Sequence, residues 1–275
     1  MKRVLYLGLE LPIHLQTKNV VHCPLIKIIP RSPDDPAIRA AFESSKFNSY
    51  THLLFTSKSA VAVFFSLAKS FNLETAVQDN KVMQDFELES LSMGAHYSQK
   101  VKVANIGSDY GSKDCVNLFS SAAVSKFNLT LNNMRCKNVI AIGQRTAGKL
   151  MENEVQVDLI ANEETAEGII EKLNPIELKK SHILLPQSSL ARPVLVNWFA
   201  KHRILHTACP IYDTVPNIPK VLPNLTLFDE IVFTSPSVVN AFIQAFGSLP
   251  VEKTLTPIGP VTKDALVSFA KCTHG

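Results

Sequence analysis

Two stretches of the chain carry the same plan, and a chain that repeats a strand-helix unit is confined to few folds. Tyr50-Thr-His-Leu-Leu-Phe-Thr-Ser-Lys-Ser-Ala-Val-Ala-Val-Phe64 aligns without a gap on Phe228-Asp-Glu-Ile-Val-Phe-Thr-Ser-Pro-Ser-Val-Val-Asn-Ala-Phe242. Each is an apolar run that ends in Phe-Thr-Ser-x-Ser and opens a stretch with helical apolar spacing. A second pair follows in the same order: Ile142-Gly143-Gln144-Arg145-Thr146 matches Ile258-Gly259-Pro260-Val261-Thr262. Further runs of strand length occur at Val4 to Leu7, Leu25 to Ile29, Val155 to Ile160 and Ile183 to Leu185. Strands alternating with amphipathic helices predict parallel sheets, so the expected class is α/β. Between its two motifs the first copy is about 60 residues longer than the second, and the stretch from about 72 to 136 reads as an insertion, with a strand at Val101–Ile106.

A length of 275 residues fits two units at roughly 100–200 residues each. Hydrophobic residues make up 46% and charged residues 19%, a balance that excludes a disordered chain. The net charge of +4 comes without a long basic run, which argues against nucleic-acid binding and suits a small polyanion. No apolar stretch reaches membrane-spanning length, and Glu10 interrupts the run from Val4 to Ile13. The expectation is therefore no membrane span, no signal peptide and a cytoplasmic protein. Cys23, Cys115, Cys136, Cys209 and Cys272 have neither C-x-x-C spacing nor a zinc-ligand histidine pattern, so they read as ordinary thiols.

Proline divides the chain. Pro30-Arg-Ser-Pro33-Asp-Asp-Pro36 and the stretch Pro210 to Pro223 read as extended connectors. Run side by side, they would leave residues 1–30 and about 220–275 as one discontinuous domain and 36–209 as the other, with linkers at about 30–36 and 210–220. The alternative is two surface loops within one long domain.

The repeat also carries the candidate chemistry. Thr56, Ser57 and Ser59 recur as Thr234, Ser235 and Ser237. One hydroxyl per site would cap the following helix and contribute about 1 kcal/mol; three at the same spacing exceed that need. A helix start with free N–H groups and spare hydroxyls, beyond the carboxyl ends of parallel strands, suits an anion. The segment Gly143 to Leu150 fits G-x-x-x-x-G-K, but Leu150 stands where a phosphate loop needs Ser or Thr. The copies share only Gly-x-x-Thr. In that reading Gly143 and Gly259 permit close backbone approach and Thr146 or Thr262 faces the cleft; a plain glycine turn is the alternative. Signatures of nucleophilic, zinc-hydrolytic and dinucleotide chemistry do not occur. His52, His182, His202 and His206 read as structural or exposed, and Glu163-Glu164 as a solvated helix start.

In chain order the motifs are Phe55-Thr-Ser-x-Ser59, Ile142-Gly-x-x-Thr146-Ala147, Leu184-Leu-Pro-Gln-Ser188-Ser189-Leu-Ala-Arg192, Ile211-Tyr212-Asp-Thr214, Phe233-Thr-Ser-Pro-Ser237 and Ile258-Gly-Pro-x-Thr262. This ordered set resembles the uroporphyrinogen-III synthase family, over nearly the whole chain apart from 72–136. The resemblance implies two flavodoxin-like parallel-sheet domains joined by a two-stranded linker, the first domain discontinuous. It implies a lyase that closes hydroxymethylbilane, a linear tetrapyrrole octa-acid of haem biosynthesis, with inversion of ring D and loss of water. No metal and no organic cofactor are implied. The partner it implies is the small-molecule substrate, with handover from the preceding pathway enzyme to a monomer and no part for nucleic acid or membrane.

Thr56, Ser57, Thr146, Ser188, Ser235 and Thr262 match family cleft positions. With Ser59, Gly143, Thr234, Ser237 and Gly259 they form the expected substrate-binding set, and Arg192 adds a charge-assisted contact. Tyr212 matches the family's linker-proximal tyrosine and is the expected catalytic residue, donating a hydrogen bond or a proton to the departing hydroxyl. The other reading of Tyr212 is an amphipathic side chain bridging linker and cleft wall. Two departures stand out. Ser188-Ser189 replaces a Gly that many relatives carry after Pro-Arg. The family pattern also adds a strand and helix beyond the last Gly-x-x-Thr helix, so the first sheet is expected to be one strand short. The competing functions are a non-catalytic two-domain binding protein for an anionic small molecule and a P-loop phosphotransferase.

Overall fold

Leu53, Leu54 and Phe55 are fully buried, yet they feed two separate cores. Leu53 and Phe55 pack with Val139, Ala141 and Leu184; Leu54 packs with Ile140, Ile183 and Leu185. Side chains alternate across a strand, so a run that is apolar throughout belongs at the centre of a sheet covered on both faces. The computed structural model describes residues 2–17, 19–78 and 137–272; the strand expected at 101–106 lies outside them.

The larger sheet is built from β3 (Ile26–Pro30), β4 (His52–Phe55), β5 (Asn138–Ala141), β6 (Leu159–Ile160), β7 (His182–Ser188) and β8 (Leu205–Pro216). Their order is β3-β8-β7-β4-β5-β6, parallel throughout except for β3, which pairs antiparallel with β8. Helices α1 (Pro36–Phe42), α3 (Lys58–Gln78) and α4 (Gln144–Met151) cover one face through Ile38, Phe64 and Leu150. The opposite face is covered by α5 (Ala166–Leu173) and α6 (Val194–Lys201) through Ile169, Leu173 and Phe199. A short helix, α2 (Ser44–Ser49), leads into β4. The smaller sheet joins the two ends of the chain: β1 (Val4–Tyr6), β2 (Val20–His22), β9 (Glu230–Phe233) and β10 (Thr254–Pro257) run parallel in the order β10-β9-β1-β2. It packs on α7 (Pro236–Phe246) and α8 (Pro260–Cys272) through Val238, Phe242 and Leu266. The α/β class with parallel sheets is therefore the observed one. No helix among the described residues is long and apolar enough to cross a membrane.

Two local expectations change. The run Val155 to Ile160 contributes only Leu159–Ile160 as strand. Val155 is buried because its N–H closes the end of α4 on the Leu150 carbonyl and its side chain joins the α3-side core, so its apolarity reports packing and not pairing. The proline-rich connector at 210–220 is strand as far as Pro216. Pro210 falls beside a register shift between Gln187 and Ser188, and β3 joins β8 only from Tyr212 onward, so its missing donor breaks no regular ladder. The earlier connector ends at Asp35, whose carboxylate accepts the Ala37 N–H and caps α1, with Pro36 in the first turn.

Two histidines at the amino end of the larger sheet make stability depend on pH. His182 is buried, with Nδ1 3.2 Å from Ser49 Oγ and Nε2 3.0 Å from Thr207 Oγ1. Burial, then the charges of Lys46 and His206, hold its pKa below the ordinary histidine value; burial does the same for His52, partly opposed by Asp158. Below about pH 6.5 the unfolded chain takes up protons that the folded chain refuses. Stability is therefore complete above that pH and falls as the pH drops toward the depressed folded values. Melting temperature measured from pH 8 to 5 should show this decline, and His182→Gln should make it shallower; an unaltered slope would remove His182 from the acid response.

Candidate functional site

Ser57 follows β4 and starts α3. Its Oγ accepts the Ala60 N–H at 3.0 Å and its carbonyl accepts the Val61 N–H at 3.2 Å, an N-cap. The same Oγ lies 3.0 Å from Tyr212 Oη. Tyr212 sits on β8 opposite Pro30 of β3 and is 6% exposed. Neighbours on both sides hold its backbone: its carbonyl accepts the Ser189 N–H at 3.0 Å, and the Arg31 N–H donates to the Ile211 carbonyl at 3.0 Å. Arg31 also forks onto Asp213, with Nε at 3.1 Å and Nη2 at 2.9 Å from the carboxylate. Burial raises the Tyr212 phenol above its usual pKa, opposed by the hydrogen bond to Ser57. At the end of β7, Ser188 Oγ accepts the Leu190 N–H at 3.1 Å and lies 3.4 Å from Thr214 Oγ1. The strand order reverses at β4, which has β5 on one side and β7 on the other. Ser57 and Ser188 thus flank the crevice where open parallel sheets bind ligands.

The smaller sheet repeats the arrangement with different contacts. Ser235 caps α7, its Oγ accepting the Val238 N–H at 3.4 Å and lying 2.9 Å from Ser237 Oγ. Thr234 stands next to the chain leaving β1: a Cβ placed on Gly8 would be 2.7 Å from Thr234 Cγ2 and 2.6 Å from Tyr6 Cε1, so a larger residue there would displace one of those side chains. The strand order reverses between β1 and β9, and Gly8 and Thr234 mark that point.

The remaining expected residues divide. Thr146 and Thr262 are each 4% exposed, while Thr56 and Ser59 are half-buried. Gly143 and Gly259 are equivalent in sequence but not in space. A Cβ on Gly143 would come within 2.2 Å of Glu164 Cγ, whereas nothing lies within 4 Å of one on Gly259. Arg192 grips Glu167 of α5 through two contacts of 3.0 and 3.1 Å.

The loop after β1 reaches the carboxyl-end rim of the larger sheet. Glu10, in the loop after β1, ion-pairs with Lys58 at the start of α3, 2.7 Å apart. Burial raises the Tyr6 phenol pKa, while Arg145 of the opposite rim lowers it and Glu10 raises it. The Lys58 bond, the Lys58 charge and more distant Lys149 together hold Glu10 below the usual carboxylate range despite partial burial. Glu10, Lys58, Tyr6 and Gly8 were not among the residues the sequence marked as site candidates. The available signal was the variable position of Phe-Thr-Ser-x-Ser, which is Lys58 in one copy and Pro236 in the other. Among the described residues no group of His, Cys, Asp and Glu side chains could hold a metal ion.

The family model of uroporphyrinogen-III synthase HemD matches residues 97–272. The match begins inside the stretch read as an insertion. Among solved structures, a mutant uroporphyrinogen III synthase from Thermus thermophilus is similar over 98% of this chain and 90% of its own, at 14% identity and a TM-score of 0.54. A uroporphyrinogen-III synthetase from Helicobacter pylori is similar over 98% of this chain and 89% of its own, at 16% identity and a TM-score of 0.52. At such identities the likeness is one of fold.

Proposed function

This chain belongs to the uroporphyrinogen-III synthase family, and we propose that it closes its substrate between the rims of the two sheets, with Tyr212 acting on the departing hydroxyl. The family substrate is hydroxymethylbilane, a flexible octa-acid. Protonation expels its terminal hydroxyl as water and leaves an azafulvene cation. The substituted carbon of ring D attacks that cation to form a spiro intermediate, which fragments and recloses with loss of a proton, inverting the ring. Closure in water gives the unrearranged isomer, so the site's main contribution is one folded geometry of the chain of rings. No step changes the oxidation state of the whole, and none calls for a cofactor.

The observation that carries this reading is the 3.0 Å contact between Ser57 Oγ and Tyr212 Oη. Ser57 already accepts the Ala60 N–H, and its hydroxyl can donate to Tyr212 Oη. The phenol proton is then free for a substrate oxygen. A tyrosine phenol is protonated at neutral pH, the state a donor needs, and burial moves its pKa further up. Hydroxyls and helix-start N–H groups at Thr56, Ser57, Ser59, Ser188, Thr234, Ser235 and Ser237, with the turns at Gly143, Thr146, Gly259 and Thr262, can grip dispersed carboxylates without a dense cluster of arginines. Arg192 reaches a carboxylate only by exchanging Glu167 for it.

Isomer analysis tests the reading. The protein incubated with hydroxymethylbilane should yield predominantly the III isomer after oxidation to porphyrin. Production of only the unrearranged isomer at the spontaneous rate would make the chain a binder of the tetrapyrrole and not its cyclase.

A further inference from the structure

Loops from different sheets meet at an ion pair, Glu10 Oε2 to Lys58 Nζ at 2.7 Å. Glu10 is 78% and Lys58 46% exposed at the side chain. A pair so open to water adds only about 0–1 kcal/mol to stability, so folding gives little reason for it and breaking it costs little. The neighbouring cations are served within their own half: Arg145 pairs with Glu164 at 3.0 Å and Lys149 with Glu152 at 2.7 Å. Lys58 is different, because among the described residues its ion pair is with Glu10 of the opposite rim. Parting the rims removes that carboxylate and leaves an ammonium group next to Ser57, the serine bonded to Tyr212.

We infer that Lys58 anchors a carboxylate of the substrate and that Glu10 is the built-in occupant of that position, displaced when the substrate's carboxylate arrives. The inference rests on the cleft proposed above and names one binding group in it. Glu10 then acts as an intramolecular competitor. It neutralises Lys58 when no ligand is bound, and a ligand must offer a better-placed carboxylate to take its position. A ligand carrying many carboxylates does this readily, since other acid groups are gripped at the same time.

The test compares the whole protein with Glu10→Gln, Lys58→Met, Lys58→Arg and the Glu10→Gln/Lys58→Met double variant. Two quantities are read: KM for hydroxymethylbilane, and Kd for uroporphyrin III, a stable octa-acid, by fluorescence titration. Lys58→Met should weaken both by about 5–10-fold, and Lys58→Arg should restore most of the loss. Glu10→Gln should tighten both by about 2–5-fold in the parent and change neither in the Lys58→Met background. A Glu10→Gln variant that binds as weakly as Lys58→Met would make the pair a strut between lobes, and a Kd indifferent to Lys58→Met would take the lysine out of the site. Failure of the parent to form the III isomer would sink the catalytic reading alone, because the uroporphyrin titration still decides the exchange.

Discussion

Replacing Tyr212 by phenylalanine (Tyr212→Phe) is expected to lower kcat for ring closure by about 100-fold, with KM for hydroxymethylbilane staying within about twofold. The ring of Tyr212 packs in the core with Phe55 and Ile211, and phenylalanine keeps that packing. Only Oη is lost, and with it the donor that Ser57 orients at 3.0 Å. A group acting on the leaving oxygen contributes mainly in the transition state, so its loss falls on kcat and not on binding. As the catalysed rate drops, spontaneous closure competes and the unrearranged isomer rises among the products. Steady-state kinetics with isomer analysis reads both effects. Unchanged turnover would leave Tyr212 as an amphipathic bridge between β8 and the cleft wall.

Phe64→Ala should destabilise the protein by about 4 kcal/mol, within the range for emptying an aromatic site in a close-packed core. Phe64 is fully buried on the sheet-facing side of α3. Its ring meets Phe55 at 5.1 Å, Phe42 at 5.4 Å, Phe65 at 5.6 Å and Phe47 at 6.2 Å between centroids. These contacts tie α3 to the sheet, to α1 and to α2. Because α3 begins at Ser57 and Lys58, the loss also loosens the rim that holds both. Urea denaturation measures the change, with Phe64→Leu as the milder companion. A shift below about 1 kcal/mol would show that the cluster collapses around the gap and does not depend on this ring.

How far the chain could be read in advance depended on the range of the interactions concerned. Leu53-Leu54-Phe55 and Ile183-Leu184-Leu185 announced themselves as central strands, because burial on both faces demands apolar residues in succession. Ser57 and Ser235 announced helix starts because a cap bonds an N–H three residues away. Pro210 was misleading: whether a proline breaks a strand depends on what its N–H would have faced, and here that was a register shift in β7. Arg192 was chosen for its charge, but the structure pairs it with Glu167, 25 residues back.

The sequence by itself determined the duplication, the α/β class and the hydroxyl-bearing turns at the carboxyl ends of the strands. All of these are set by local pattern and by caps a few residues in length. Only the tertiary structure decided that Ser57 meets Tyr212, 155 positions away, and that Glu10 meets Lys58 across the gap, 48 positions away. Such encounters follow from strand order and from the loop of one sheet reaching the rim of another. No residue's own preference encodes that geometry, because it is a property of the assembled chain.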